Sequence, residues 1–198
     1  MSTPEPPARP GRGWQLSTAT PDDVPEIAVF QTETWREAYG DVVDPAYLAA
    51  VGVPERVASW GLRVGSSGRH VVVARAPGEA AAAAGPAAGP AEAAAPTGEV
   101  VGVVSWADGD PGRDPFDLGL VELKTLYLAA PWRGTGLADE LLRRAVGDGP
   151  AYLWAFERNP RALAFYARHG FVPDGTRKLD VPTDAWELRL VRGAAPAR

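Results

Sequence analysis

Residues 159–171 read NPRALAFYARHGF, a stretch with both start and stop signals for one short helix. The side chain of Asn159 can accept a hydrogen bond from the first turn, and Pro160 suits the first helical position because an N–H there would have no helical partner. Gly170 suits the left-handed conformation that ends many helices, with Phe171 beyond it. The sequence therefore predicts a helix that starts at Asn159 and ends at Gly170.

A strand and another helix are predicted upstream. The run from Ala151 to Phe156 is short and apolar, which favours a strand. Before it, residues 133–138 read RGTGLA and open a helix with apolar positions at helical spacing: Leu137, Leu141, Leu142 and Val146. The glycines expose the first N–H groups of this helix, and its dipole adds partial positive charge. A pyrophosphate could bind there, with Arg133 as a charged donor.

Other interpretations of this Gly-x-Gly turn compete with that one. A dinucleotide-binding fingerprint needs glycine or alanine where Asp139 stands, and a carboxylate there would repel phosphate. A P-loop needs Gly-Lys-Ser or Gly-Lys-Thr, which the turn lacks. The remaining alternative is an ordinary tight connection between strand and helix. The turn alone does not separate this alternative from an anion site.

The strand before the turn contains a break in its alternation. Val121 and Leu123 alternate correctly, but the next apolar pair, Leu126 and Leu128, follows after an odd step. A β-bulge at position 124 or 125 would explain the step and leave backbone groups free to bind a ligand. The alternative is that the run from Leu126 to Leu128 is buried on both faces.

The remaining elements are predicted from caps and β-branched runs. Helices are expected from Thr20 to about Tyr39 and from Pro54. Strands are expected at residues 14–19, 71–73, 100–106, 118–128 and 185–191, and near Phe171. Residues 77–97 are almost entirely Ala, Gly, Pro and Glu, which predicts a flexible insertion between two strands. A single domain is expected over residues 14–192, with disordered tails at 1–13 and 193–198.

Composition excludes several classes of protein. The chain has 198 residues, a net charge of −5 and no cysteine, so neither a disulfide frame nor a cysteine nucleophile is available. With two histidines a zinc site is not expected, and the acidic balance argues against nucleic-acid or anionic membrane partners. No apolar run could span a bilayer, and the proline-rich start is unlike a signal peptide. A cytoplasmic location is expected.

Two blocks of this sequence resemble the GNAT superfamily of acyl-CoA-dependent N-acetyltransferases. The first is Arg-x-x-Gly-x-Ala, at Arg133, Gly136 and Ala138. The second is Asn-Pro-x-Ala-x-x-Phe-Tyr-x-x-x-Gly-Phe, over residues 159–171. The segments 122–128 and 34–39 are also similar to members of this superfamily, so the resemblance covers roughly residues 14–191.

The resemblance implies an α/β fold of the α+β type with about four helices. Its mixed, mostly antiparallel sheet has six to seven strands, and two central parallel strands, 118–128 and 151–156, splay apart. It also implies acetyl-CoA as co-substrate, with the pantetheine arm in the wedge between those strands. The residues expected to bind the cofactor are Leu126, Tyr127, Leu128, Arg133, Gly134, Thr135, Gly136, Leu137, Ala138, Asn159 and Tyr166.

The resemblance assigns Tyr166 to the departing thiolate, which a phenol near the sulfur can protonate; the alternative is a core aromatic. An amine must lose a proton before it attacks, and Glu122 is the first candidate for the base, although it could instead form a plain ion pair with Lys124. Trp35 and Tyr39, four residues apart on one helix, could flank the amine by cation–π contact or simply pack in the core.

The function predicted is acetyl transfer to a primary amine of a small molecule by direct attack in a ternary complex. Two alternatives stay open: an acetyltransferase for protein N-termini or lysines, and a catalytically silent CoA-binding module. No metal is expected to take part. A homodimer is a further expectation, since dimers are frequent in the superfamily.

Overall fold

The computed structural model describes residues 13–40, 43–78, 98–109, 116 and 118–193, which form a seven-stranded sheet with helices on both faces. The strands are β1 Gln15–Thr18, β2 Arg69–Arg75, β3 Val100–Ala107, β4 Val121–Leu128, β5 Ala151–Phe156, β6 Val172–Asp180 and β7 Ala185–Arg192. The helices are α1 Val24–Tyr39, α2 Pro45–Ala50, α3 Val53–Gly61, α4 Leu137–Val146 and α5 Pro160–Arg168. Short 3₁₀ turns, Pro21–Asp23 and Ala130–Trp132, precede α1 and follow β4.

The sheet is mixed and mostly antiparallel, with the strand order β1-β2-β3-β4-β5-β7-β6. Its parallel pair is β4 and β5, whose ladder joins Val121–Leu123 to Ala151–Leu153 and extends no further among the described residues. The last residues of both strands therefore diverge. This arrangement confirms the predicted fold, including the splayed central pair.

The register between β3 and β4 contains the predicted bulge. Ser105 pairs with Thr125, but the next residue, Trp106, pairs with Leu123, so Lys124 is the extra residue. The extra residue returns the apolar side chains to one face, and those on both sides of it pack into the core against α4: Val121, Leu123, Leu126 and Leu128. The odd step in the sequence thus has a structural cause.

Two apolar layers hold the helices to the sheet. On one face, α4 contributes Leu137 and Leu141, which are fully buried against β-strand residues such as Leu153. On the other face, Ile27 of α1 and Trp60 of α3 are also fully buried. The Trp60 indole N–H donates to Gln31 Oε1 at 2.8 Å, which joins α3 to α1.

Some element boundaries differ from the sequence predictions. The described residues contain five α-helices, where about four were expected. The additional helix is α2, which was not predicted although Asp44 caps it by accepting from the Ala46 N–H at 2.8 Å. Helix α4 begins at Leu137 rather than Gly134, since Gly134 and Gly136 have φ values of +74° and +97°. Strand β4 begins at Val121 rather than at 118.

The predicted tails and the predicted insertion lie outside the described residues, except for Gly13, Pro77, Gly78 and Gly193. Strands β2 and β3, on either side of the insertion, pair as an antiparallel hairpin. Within the described part of the chain, every helix is too short or too polar to cross a membrane.

Candidate active site

A cavity of about 640 Å³ runs from α1 through the gap between β4 and β5 to α5. Leu126, Tyr127 and Leu128 line it from β4, and residues 154–156 line it from β5. In this gap the facing edges of the two strands have no ladder bonds to each other. Backbone N–H and C=O groups on those edges are therefore available to an extended ligand with amides of its own.

The turn after β4 forms one end of the cavity, where Arg133, Gly134 and Ala138 lie on its wall. Both glycines have positive φ, a conformation that costs a side-chain-bearing residue energy. This geometry presents the first turn of α4 as a set of N–H donors. A pyrophosphate fits such a donor set.

The side chains of the other residues of this turn are directed elsewhere or absent. The Thr135 hydroxyl donates to the Trp132 carbonyl at 2.7 Å, and Leu137 is fully buried in the core. Thr135, Gly136 and Leu137 are not among the described cavity-lining residues. Any contact they make with a ligand at the turn must come from N–H groups rather than side chains.

Arg133 is held by a helix from the opposite face of the sheet. Its Nη1 donates to Glu37 Oε1 of α1 at 2.6 Å, and both side chains remain partly exposed. The pair orients the guanidinium beside the turn. Because a guanidinium has five N–H donors, one such bond leaves others for an anion.

Helix α5 brings Asn159 and Tyr166 to the cavity. Asn159 Oδ1 accepts from the Ala162 N–H at 3.1 Å, as the predicted cap requires, and the side-chain NH₂ remains as a donor. Tyr166 is 9% exposed. Burial, reinforced by Tyr127, raises the pKa of the Tyr166 phenol, so it is protonated and able to donate at neutral pH.

Glu122 makes the predicted ion pair with Lys124. Its Oε2 also accepts from the Tyr152 hydroxyl at 2.9 Å, and the residue is buried. Among the described residues, Glu122 is not on the wall of the cavity, whereas Lys124 is. The structure therefore places this carboxylate beside the wedge, in contact with two partners.

Trp35 and Tyr39 both line the cavity and also pack in a small aromatic cluster. Their rings lie 6.3 Å and 5.2 Å from that of Phe156, and the Trp35 indole N–H donates to the Tyr127 hydroxyl at 2.7 Å. The guanidinium of Arg56 lies over the Trp35 ring, 4.9 Å from its centroid. One face of Trp35 is thus already covered by a cation, while Tyr39 stands edge-on to it.

The cavity-lining residues that were not predicted as site residues include Ser105 and Glu187. Ser105 is 5% exposed, and its hydroxyl has no hydrogen-bond partner within the described ranges. Burial raises the pKa of Glu187, although Lys178 opposes the shift. The sequence signal was slight: a single carboxylate in the otherwise mostly apolar start of β7.

Comparison with known proteins agrees with this geometry. The family model described as an acetyltransferase (GNAT) domain matches residues 90–173. A probable N-acetyltransferase of Mycobacterium tuberculosis is 24% identical over 201 residues, covering 92% of this chain and 96% of that protein. An uncharacterized N-acetyltransferase of the same species is 36% identical over 86 residues, covering 40% of this chain and 51% of that protein.

The fold is also similar to solved structures. The PaiA N-acetyltransferase from Thermoplasma acidophilum, solved in complex with coenzyme A, has a TM-score of 0.61 and 12% identity, with coverage of 92% of this chain and 99% of that chain. NAA60 from Arabidopsis thaliana, solved with a bisubstrate analogue, has a TM-score of 0.60 and 14% identity, with coverage of 92% and 100%.

The seven-stranded sheet with its splayed parallel pair is the fold that these solved N-acetyltransferases share. The family model, which matches residues 90–173, and the relatives support a member of the GNAT superfamily.

Proposed function

We propose that this chain transfers an acetyl group from acetyl-CoA to a primary amine of a small molecule, in the cytoplasm. The observation that carries the proposal is the cavity that passes between the diverging ends of β4 and β5, beside the turn at residues 133–138. Its volume of about 640 Å³ lies within the range of small-molecule sites. Its wall includes residues of α1 and of α5, so two substrates could meet in the gap between them.

The residues present fit coenzyme A. Its pantetheine arm carries two amides, which match the unpaired backbone edges of Leu126 and Leu128. Its pyrophosphate matches the N–H donors of the turn and the side chain of Arg133. Asn159 supplies an NH₂ group toward the arm. The PaiA enzyme, which shares this fold, was solved with coenzyme A bound.

Direct attack in a ternary complex is the mechanism that the side chains support. The chain has no cysteine, so no acyl-cysteine intermediate can form. Acetyl-CoA supplies the thioester, and Tyr166, whose pKa is raised by burial, holds a proton for the departing thiolate. The amine must enter from the α1 side, where Trp35 and Tyr39 form part of the wall.

Release of the free CoA thiol tests this function directly. Polyamines, amino acids and aminoglycosides are offered with acetyl-CoA, and binding of acetyl-CoA is measured by calorimetry. We expect binding together with thiol release that depends on one class of amine. Acetylation of a peptide without turnover of any small amine would favour the protein acetyltransferase, and tight binding without chemistry on either would favour the silent module.

A further inference from the structure

Glu187, a carboxylate on β7, is one of the residues that line the cavity. The α1 side of the cavity, from which the amine is proposed to enter, is called its acceptor side. In the antiparallel pair of β5 and β7, Glu187 lies directly opposite Phe156, in the part of β5 that has diverged from β4. Residues directly opposite in a sheet project to the same face. Phe156 packs against Trp35 and Tyr39 of α1, so Glu187 lies on the face from which the amine must enter.

The negative charge of Glu187 is only partly neutralised by its neighbours. Its nearest cation is Lys178, directly opposite on β6, with 3.5 Å between Lys178 Nζ and Glu187 Oε2. That separation is longer than a charge-assisted hydrogen bond, and the Lys178 ammonium also lies 4.1 Å from the centre of the Trp154 ring. Asp180 of β6 and Glu122 of β4 act on Glu187 with like charge.

The balance of these charges favours proton uptake by Glu187. Its side chain is 18% exposed, and burial raises its pKa; Lys178 opposes that shift, and the two neighbouring carboxylates add to it. Arg161 and Lys124 are among the cationic residues that also line the cavity. A carboxylate with a raised pKa is a stronger base than an ordinary surface glutamate.

Glu122 is less suited to the same task. Its Oε2 is engaged by the Tyr152 hydroxyl and by the Lys124 ammonium, and it is not among the described cavity-lining residues. Glu187 lies on that wall, and within the described ranges its one salt bridge is the 3.5 Å contact with Lys178. A cationic amine in the cavity therefore has a direct path to Glu187.

Ser105 is an independent sign that a polar ligand enters this part of the cavity. It lies on β3 opposite Thr125, next to the bulge. Its hydroxyl is buried on the cavity wall, with no hydrogen-bond partner in the described part of the chain. Burying an unsatisfied hydroxyl is costly, and a polar group of a bound substrate would supply the missing partner.

We infer that Glu187 is the general base for the acceptor amine, an inference that rests on the proposed function. The Glu187 carboxylate takes one proton from the R–NH₃⁺ group and leaves a neutral amine. The nitrogen lone pair then forms the C–N bond to the acetyl carbon, and the C–S bond breaks as its electrons return to sulfur. The Tyr166 hydroxyl protonates the thiolate and recovers a proton from the acylated nitrogen, while Glu187 releases its proton to solvent.

Kinetics of wild type, Glu187→Gln and Glu122→Gln against pH test the inference. We expect Glu187→Gln to lower kcat at pH 7 by about 100-fold, a typical contribution of a general base. The acetyl-CoA Kd should be unchanged. The deficit should shrink as the pH approaches the pKa of the amine itself, because the base is then no longer needed. Glu122→Gln should lose much less activity.

Glu157→Gln is the matched control. Glu157, in the turn after β5, also forms an ion pair, with Arg177 of β6 at 3.7 Å, but it is not among the described residues that line the cavity. Its activity should equal that of wild type. Glu187→Gln with wild-type kcat, or with a deficit that does not change with pH, would overturn the inference. The proposed function fails separately, if the wild-type enzyme itself shows no amine-dependent thiol release.

Discussion

At the scale of single residues, burial prepares Tyr166 for its proposed task. The phenol lies on α5 between Phe165 and Phe171, with ring centres 5.2 Å and 6.0 Å away, and on the wall of the cavity. These apolar contacts fix the ring and raise its pKa by desolvation. The hydroxyl is then a proton donor held in one place.

Tyr166→Phe removes the hydroxyl and keeps the ring. We expect kcat to fall by about 100-fold, because the thiolate must leave without a proton donor. The Kd of acetyl-CoA, measured by calorimetry, should stay within about threefold of wild type, since the ring contacts persist. Tyr47→Phe, outside the described cavity lining, is the control with unchanged kcat. A collapse of acetyl-CoA affinity in Tyr166→Phe would show that its role is structural.

The raised pKa of Glu187 has a consequence for stability. In the folded protein the pKa lies above its ordinary value of 4.5, mainly because of burial. The folded state therefore binds a proton more readily than the unfolded state, and stability falls as pH rises through the folded pKa. At neutral pH the ionised carboxylate lowers the stability of the fold.

Glu187→Gln replaces this carboxylate with a neutral side chain of the same shape. We expect the Tm at pH 7 to equal or exceed that of wild type. The difference should vanish as the pH falls well below 4.5, where Glu187 is protonated in both the folded and the unfolded state. Thermal unfolding followed by circular dichroism from about pH 3 to about pH 8 measures it. A Tm well below wild type at pH 7 would show that the ion pair with Lys178 dominates.

At the scale of secondary-structure elements, the conformation of two glycines sets the start of α4. Gly136 precedes the helix with φ of +97°, and an added Cβ would meet nothing within 4 Å. The need for glycine there is thus conformational and not steric. The first N–H groups of α4, which have no helical partners, lie in a turn whose residues Gly134 and Ala138 line the cavity.

Gly136→Ala tests that element. We expect a loss of about 1–2 kcal/mol in the free energy of unfolding, the cost of a left-handed conformation for an L-residue. Acetyl-CoA should also bind more weakly, because relief of the strain displaces the N–H donors. Gly149→Ala is the control. Gly149 does not have a positive φ, and an added Cβ there would also meet nothing within 4 Å. Denaturant unfolding and calorimetry measure the two effects, and equal behaviour of both variants would contradict the explanation.

At the scale of the whole molecule, backbone hydrogen bonds hold the end of β2 close to the start of β3. The Ala76 N–H donates to the Glu99 carbonyl at 2.9 Å, so the chain leaves β2 and enters β3 at neighbouring points. A much shorter connection can therefore span the gap. The cost of closing a loop grows only with the logarithm of its length.

Deletion of residues 80–95 should accordingly leave both stability and activity near those of wild type. The removed residues are Ala, Gly, Pro and Glu only, without a large apolar side chain to pack. Loop closure becomes slightly less costly, by roughly 1 kcal/mol or less. The Tm and the rate of thiol release measure the outcome. Loss of the fold would show that the segment packs against the domain.

Much of the fold could be predicted because its signals are local. The cap and proline at Asn159 and Pro160, and the glycine after α5, each act within a few residues. The bulge at Lys124 was visible as an odd step in the alternation, because the side-chain period of a strand is fixed. Helix α2 was missed although Asp44 and Pro45 give the same cap-and-proline signal.

The sequence by itself determined most of the helices and strands and the glycine turn, since each depends on local backbone preferences and side-chain periodicity. The splayed pair was expected only from the resemblance to a known superfamily. Only the tertiary structure decided which side chains share the cavity. The contact of Arg133 with Glu37 joins residues 96 positions apart, and Glu187 reaches the acceptor side only through the pairing of β7 with β5. Such contacts are set by the packing of distant elements, which no local pattern encodes.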